Sequence, residues 1–235
     1  MSEKPLARKQ LEPLRSKGLF LVVETLGKRL RELVQLNLLL LGSCLFIITI
    51  PAALTAGSRI IVLMIQGAVF DLPQEYFRCL KREFVGSTIG GFILLFLIVL
   101  CFFTETLYLF YFGTGYLAWA LLSLGFILLV LLIVTFYHFL VLVAIADLSF
   151  WQALKNAWLL AIVRLATNFL YLLVLIMVVS AHFSLWPYSS ILVLVVSLSL
   201  GLLLTSVNAY ENISAFVFVG AESENEEERK NQEEI

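Results

Sequence analysis

Charge is scarce in this chain. Aspartate, glutamate, lysine and arginine together make up 14% of its 235 residues, where a soluble domain carries about 25%. A water-facing surface cannot be built from so few charges, so a soluble globular fold is excluded. Cysteine is confined to Cys44, Cys79 and Cys101, an odd set without metal-type spacing. That excludes a disulfide framework and reads as small buried hydrophobes. No HExxH, GxSxG or CxxC occurs, no aspartate pair falls within facing apolar stretches, and there is no glycine-rich phosphate loop. The expectation is a protein that is not an enzyme and takes no cofactor and no metal. Its basic residues are strung along the chain rather than gathered on one face, so no nucleic acid is expected as a partner. The first 32 residues carry charge throughout and lack the short apolar core of a signal peptide.

Apolar residues take the place of the missing charge. They make up 61% of the chain, with a mean hydropathy of +0.98, and they come in long unbroken blocks. Lipid is the solvent such blocks require. In hydrocarbon every backbone N–H and C=O must pair internally, which leaves helices or a closed barrel. The blocks are continuous rather than alternating, and this excludes the barrel. The expected fold is all-α, a polytopic helical membrane bundle.

The stretch 71–113 sets its pattern. Phe77, Leu80 and Phe84 share one helical face, Arg78, Lys81 and Arg82 lie on the other, and an apolar span follows at once. A shift of 74 positions superposes Phe77, Leu80, Lys81 and Phe84 on Trp151, Leu154, Lys155 and Trp158, again ahead of a span. The reading is of three repeated hairpin units, 19–70, 71–146 and 147–219, each introduced by an amphipathic interfacial helix. In the first, Val23, Leu26, Leu30 and Leu33 share a face opposite Glu24, Lys28 and Arg31. Transmembrane spans are expected at 33–50 (ending at Pro51), 55–70, 86–110, 116–146, 161–183 and 189–219. That makes six, or five if 55–70 does not cross; crossing keeps Arg78, Lys81 and Arg82 on the side of the basic N-terminus, as the positive-inside rule favours. Asp71 with Gln74, and Ser149 with Gln152, are spaced as capping boxes. The small residues of 86–91 suit a close helix approach.

Residues 1–18 read as a flexible basic cytoplasmic arm, 19–219 as a single transmembrane domain, and 220–235 as an acidic disordered tail. The chain is expected in the cell membrane, multi-pass, with both termini cytoplasmic. The lipid bilayer is then its first partner, with the anionic inner leaflet against its basic helices.

Ionisable groups inside a membrane cost about 2.5–3.5 kcal/mol each on insertion scales, so each is a candidate functional position. Arg59, expected at the outer end of the second span, and Glu105, toward the outer end of the third, are a candidate ion pair. A second group, Asn37, Gln66, His138, Asn168, Asn208, Glu211 and Asn212, is expected at comparable depth in the cytoplasmic third of the spans. Asn208, Glu211 and Asn212 stand at i, i+3 and i+4 on one face, expected to point inward. Such a cluster either glues helices through interhelical hydrogen bonds or lines a polar vestibule open to the cytoplasm, with Glu211 and His138 exchanging a proton.

Three stretches, 37–56 (NLLLLGSCLFIITIPAALTA), 76–84 (YFRCLKREF) and 144–158 (AIADLSFWQALKNAW), resemble the YesL-like family of bacterial membrane proteins, a domain of unknown function. The family's first stretch reads Pro-x-x-Thr-x-Gly; here Thr49 matches, Phe46 takes the proline position and Pro51 the glycine position. Members are typically encoded in Gram-positive bacteria beside sugar ABC transporters and two-component regulators. The resemblance implies an accessory role in carbohydrate uptake or sensing, with an ABC transporter permease or a sensor kinase as partner, and it brings no site residues. The other reading is a stand-alone small-solute transporter or channel that uses the polar vestibule.

Overall fold

The computed structural model describes residues 18–111, 115–146, 148–185, 188 and 193–233, with side chains to 215 in the last stretch. Among them are eight α-helices and no strand. They are α1 (Leu19–Lys28), α2 (Leu30–Cys44), α3 (Ile50–Ile65), α4 (Leu72–Tyr111), α5 (Tyr116–Ile145), α6 (Phe150–Val163), α7 (Leu165–Ser184) and α8 (Leu198–Glu233). A 3-10 turn, Ile47–Thr49, precedes α3, and a π-helical segment, Val193–Ser197, leads into α8. Among the described residues, four segments are long and apolar enough to cross a membrane: Ile47–Ile65, Leu72–Tyr111, Ala118–Ile145 and Leu165–Ser184. The expected arm 1–18 falls outside the described residues except for Gly18. The tail expected to be disordered continues α8 as helix to Glu233, consistent with the helix propensity of its glutamates, lysine and arginine.

Several boundaries differ from the expected ones for local reasons. Pro51 opens α3 instead of closing the span before it, because a proline in a first turn forfeits no intrahelical bond. The turn ahead of it is held by the Thr49 hydroxyl, which donates to the carbonyls of Phe46 (2.7 Å) and Ser43. The first two spans, expected at 33–50 and 55–70, therefore become α2, ending at Cys44, and α3, beginning at Ile50. In the second unit no joint separates the amphipathic segment from its span. α4 is one helix of 40 residues, about 60 Å long at 1.5 Å per residue. In the third unit the joint exists: α6 ends at Val163, Arg164 leaves the helical region (φ −108°, ψ 37°), and α7 begins at Leu165. Arg29 makes a similar joint between α1 and α2 (φ −121°, ψ 25°). At the start of α6 the Ser149 backbone N–H donates to Gln152 Oε1 (3.1 Å), the return half of the expected capping box.

The hub of the fold is α3. Its apolar segment is 67% buried, against 22% for that of α4 and 17% for that of α7. α3, α5 and α8 pack on one another; α4 lies against α3 and α5, and α7 against α8. Successive turns of α2 touch α8 (Asn37 to Ser199), α3 (Leu40 on Gly57) and the start of α4 (Ser43 to Tyr76). Close approach is achieved where a side chain is missing. A Cβ on Gly57 would run into Leu202, on Gly90 into Phe139 and Phe150, and on Gly91 into Pro51. The small residues of 86–91 thus do what their spacing suggested, through Ser87, Gly90 and Gly91, whereas Gly86 faces open space.

The amphipathic faces are rotated from those read in the sequence. α1 buries Leu21, Val22 and Thr25 while Val23 is exposed. The start of α4 buries Leu72, Tyr76 and Cys79 and leaves Phe77 outward. α6 buries Ala153, Ala157, Leu160 and Ala161, with Trp151 outward. Small residues allow helices to approach, while Phe77 and Trp151 are left exposed, as suits rings that prefer a membrane–water boundary. Beyond Leu94 on α4 and before Val130 on α5, the two helices belong to neither core cluster. Among the described residues, this α4–α5 arm, 95–111 and 116–129, joins no core cluster and packs along its own seam.

Candidate functional site

The joint between α6 and α7 creates a chemical problem. A helix whose last turn is buried against its neighbours leaves carbonyls short of partners, and buried carbonyls cannot turn to water instead. Asn168, on the first turn of α7, solves it. Its Nδ2 donates to the carbonyls of Leu160 (3.2 Å) and Ala161 (3.0 Å), the last turn of α6. Its Oδ1 then faces α8, where it accepts from Asn208 Nδ2 and Asn212 Nδ2, both at 2.9 Å, with the Tyr137 hydroxyl at 3.4 Å. Asn208 Nδ2 also donates to the Tyr137 oxygen (2.6 Å), and Asn212 Nδ2 lies 3.1 Å from His138 Nε2. His138 Nδ1 reaches the Val134 carbonyl at 2.9 Å. The geometry suits a neutral imidazole protonated at Nδ1, since Nε2 must accept from the amide.

This cluster is closed. Asn168, Asn208 and His138 are fully buried and Asn212 nearly so (1% exposed). Donors and acceptors are consumed among three helices and the end of a fourth, and what the arrangement can do chemically is fix the angle between α6 and α7 against α5 and α8. A groove of about 510 Å³ lies on the far side of Tyr137, between α5, α7 and α8. Its walls are apolar apart from Tyr137, Thr205 and the pair His182 Nε2–Ser197 Oγ (2.6 Å).

The expected site residues therefore separate into groups. His138, Asn168, Asn208 and Asn212 come together. Glu211 turns to the other flank of α8, where its carboxylate accepts from the Tyr171 hydroxyl (3.3 Å) and from the Gly18 backbone N–H at the start of α1. It makes no contact with His138, so the expected proton exchange has no direct route. Gln66 Nε2 donates to the Tyr210 hydroxyl (3.1 Å), tying the end of α3 to α8. Asn37 Oδ1 accepts from the Ser199 backbone N–H (3.0 Å), at the opening turn of α8 and away from the cluster. Tyr137, Tyr171 and Tyr210 were missing from the expected set. The one available signal was that each stands within four residues, or one helix turn, of a polar residue already named.

No family model, no curated protein and no solved structure matches this chain.

The expected pair of Arg59 with Glu105 is not formed. Arg59 Nε lies 3.4 Å from Glu75 Oε1 and its Nη1 3.4 Å from the Ala144 carbonyl. The attraction is ionic at that distance, since Nε has no hydrogen-bond partner. Glu75 also accepts from Arg78 Nη1 (2.9 Å). The reason lies in α3: beginning at Ile50, it carries Arg59 past its midpoint toward the first turn of α4 and away from the end where Glu105 sits. Glu105 lies over Gly125 at the seam of the arm. Among the described residues, groups of three or more metal-ligating side chains do not occur.

Proposed function

We propose that this chain is a non-catalytic, multi-pass subunit of the cell membrane that serves another membrane protein. By the resemblance to the YesL-like family, its partner is an ABC transporter permease or a sensor kinase of carbohydrate uptake. The observation that carries the reading is the closure of the Asn168 cluster. The most polar part of the apolar bundle is spent on joining helices, and its amides and imidazole face one another instead of a passage. A large share of the apolar surface of α4, α5 and α7 is turned outward, which suits contact with lipid and with other spans.

Counting α2 and α8 with the four long apolar segments gives six crossings in three hairpins, each preceded by an amphipathic stretch. The second and third units agree at one buried position, Cys79 on α4 and Ala153 74 residues on, while the buried Tyr76 corresponds to a half-buried Phe150. The first unit departs, since Ser43 Oγ and the Tyr76 hydroxyl lie 3.0 Å apart, which makes its hairpin shallow. Arg59 lies beside Glu75 at the start of α4; by the positive-inside rule we assign that end, with its basic neighbours Arg78, Lys81 and Arg82, and both termini to the cytoplasm.

Isolation in a mild detergent, followed by mass spectrometry, tests the proposal. A permease or kinase recovered at a fixed ratio to this chain supports it. A chain that purifies alone, and that moves a sugar or protons across vesicle membranes, would replace it with the transporter reading.

A further inference from the structure

Glu105 is an acid without a base. It sits on α4 in the arm, one and a half turns inside a tip lined by Tyr111, Tyr116 and Trp119, all strongly exposed, and such aromatic residues mark a membrane–water boundary. Its carboxylate is half-buried over Gly125, where a Cβ would collide with it. Neither an ion pair nor a hydrogen bond joins it to any described residue, and Arg59 is engaged with Glu75. The sequence itself holds no lysine or arginine between Arg82 and Lys155. Arg82 is 23 residues back along the same helix, about 34 Å. A second copy in the same orientation brings the same lack of cations to that depth. Among the described residues nothing covers the arm outside its own seam, and Phe96, Phe102, Phe103, Leu124 and Phe126 are exposed.

We infer that the arm is a docking element for a transmembrane helix of a different protein, one that carries a lysine or arginine within its apolar span, and that Glu105 is the anion that cation meets. The Gly125 notch holds the carboxylate at the seam, so that one helix laid along α4 and α5 covers it. An acid alone and a base alone are each costly in hydrocarbon, while together they neutralise one another. Each therefore selects the other chain against the apolar spans that crowd a membrane. The inference rests on the accessory reading above and names the surface that reading needs.

The test uses the full chain in its native membrane, with a photo-crosslinking phenylalanine analogue at Phe102, one turn from Glu105, and at Leu170 on α7 as a control. The expected result is a cross-link from position 102 to a protein with a cation inside an apolar span. In Glu105→Gln the yield falls roughly tenfold or more, the equivalent of about 1.4 kcal/mol. Glu105→Lys abolishes it, and reversing the partner's cation to glutamate restores it. Since Glu105 has no hydrogen-bond or ion-pair partner among the described residues, Glu105→Gln is expected to elute and melt like the parent. A cross-link only to lipid, or to a second copy of this chain, overturns the inference. A partner captured equally well by Glu105→Gln overturns it while leaving the accessory reading standing. A chain that captures no protein at either position overturns both.

Discussion

α4 and the α6–α7 pair start from similar sequence and end as different objects. Both begin with an aromatic and basic amphipathic stretch and continue into an apolar span, and a shift of 74 residues lays one on the other. α4 passes through Gly90 without interruption and turns that glycine into a seat for Phe139 and Phe150. Its counterpart, 74 residues on, is Arg164, where the helix breaks. One turn further, α4 has Leu94, buried and apolar, and α7 has Asn168, whose amide closes the broken end. The difference teaches that the asparagine cluster belongs to the break. An unbroken helix satisfies its own carbonyls and needs no polar neighbour; a broken one buried among other helices must import donors.

The largest expected effect comes from removing that import. Asn168→Leu takes its partner from the Ala161 carbonyl, leaves the Leu160 carbonyl only the long bond from the Arg164 N–H (3.4 Å), and removes the acceptor shared by the amides of Asn208 and Asn212. At about 1–3 kcal/mol per unsatisfied buried group, the thermal midpoint in detergent should fall steeply, and trypsin should cut faster after Arg164. An unchanged midpoint would mean that the joint is held by something else. Next comes Gly90→Leu on the unbroken side. It forces a side chain into Phe139 and Phe150, at a cost of about 1–3 kcal/mol for overpacking, while Gly86→Leu, facing open space, should fold and melt normally. If the two leucines behave alike, the seat at Gly90 is not real. Leu94→Asn transplants the asparagine into the helix that has no break to serve. It should cost about 1–3 kcal/mol as an unpaired buried amide, and a stabilised variant would argue that α4 also has an open joint there. The smallest effect is expected outside the comparison, at Gln66→Leu. It gives up the interhelical bond to Tyr210, worth about 0.6 kcal/mol in a membrane, a small shift by scanning fluorimetry.

Much of this was legible in the chain. The blocks of apolar residues, the absence of alternation and the capping pair Ser149–Gln152 gave the helical membrane class and several helix starts. His138, Asn168, Asn208 and Asn212 were recognisable as one group because polar side chains in apolar helices seek each other. What composition could not carry was rotation and offset. Which face of α1 or α4 is buried depends on where small residues let a neighbour approach, so Phe77 and Val23, the obvious apolar positions, face outward instead. The placement of Arg59 depended on whether Pro51 ends a helix or begins one, and either use of proline is locally acceptable. The double role of Asn168 was hidden because nothing in its own type announces that the helix before it stops at Val163.

A double-mutant cycle between Asn168 and Asn212, each changed to alanine and read by reversible unfolding in detergent micelles, goes most directly to whether these side chains form one closed network. Contact between them predicts a coupling energy of about 0.5–3 kcal/mol, with the double variant losing less than the two singles together. Losses that simply add would contradict the network and return both amides to the role of separate groups lining an open space.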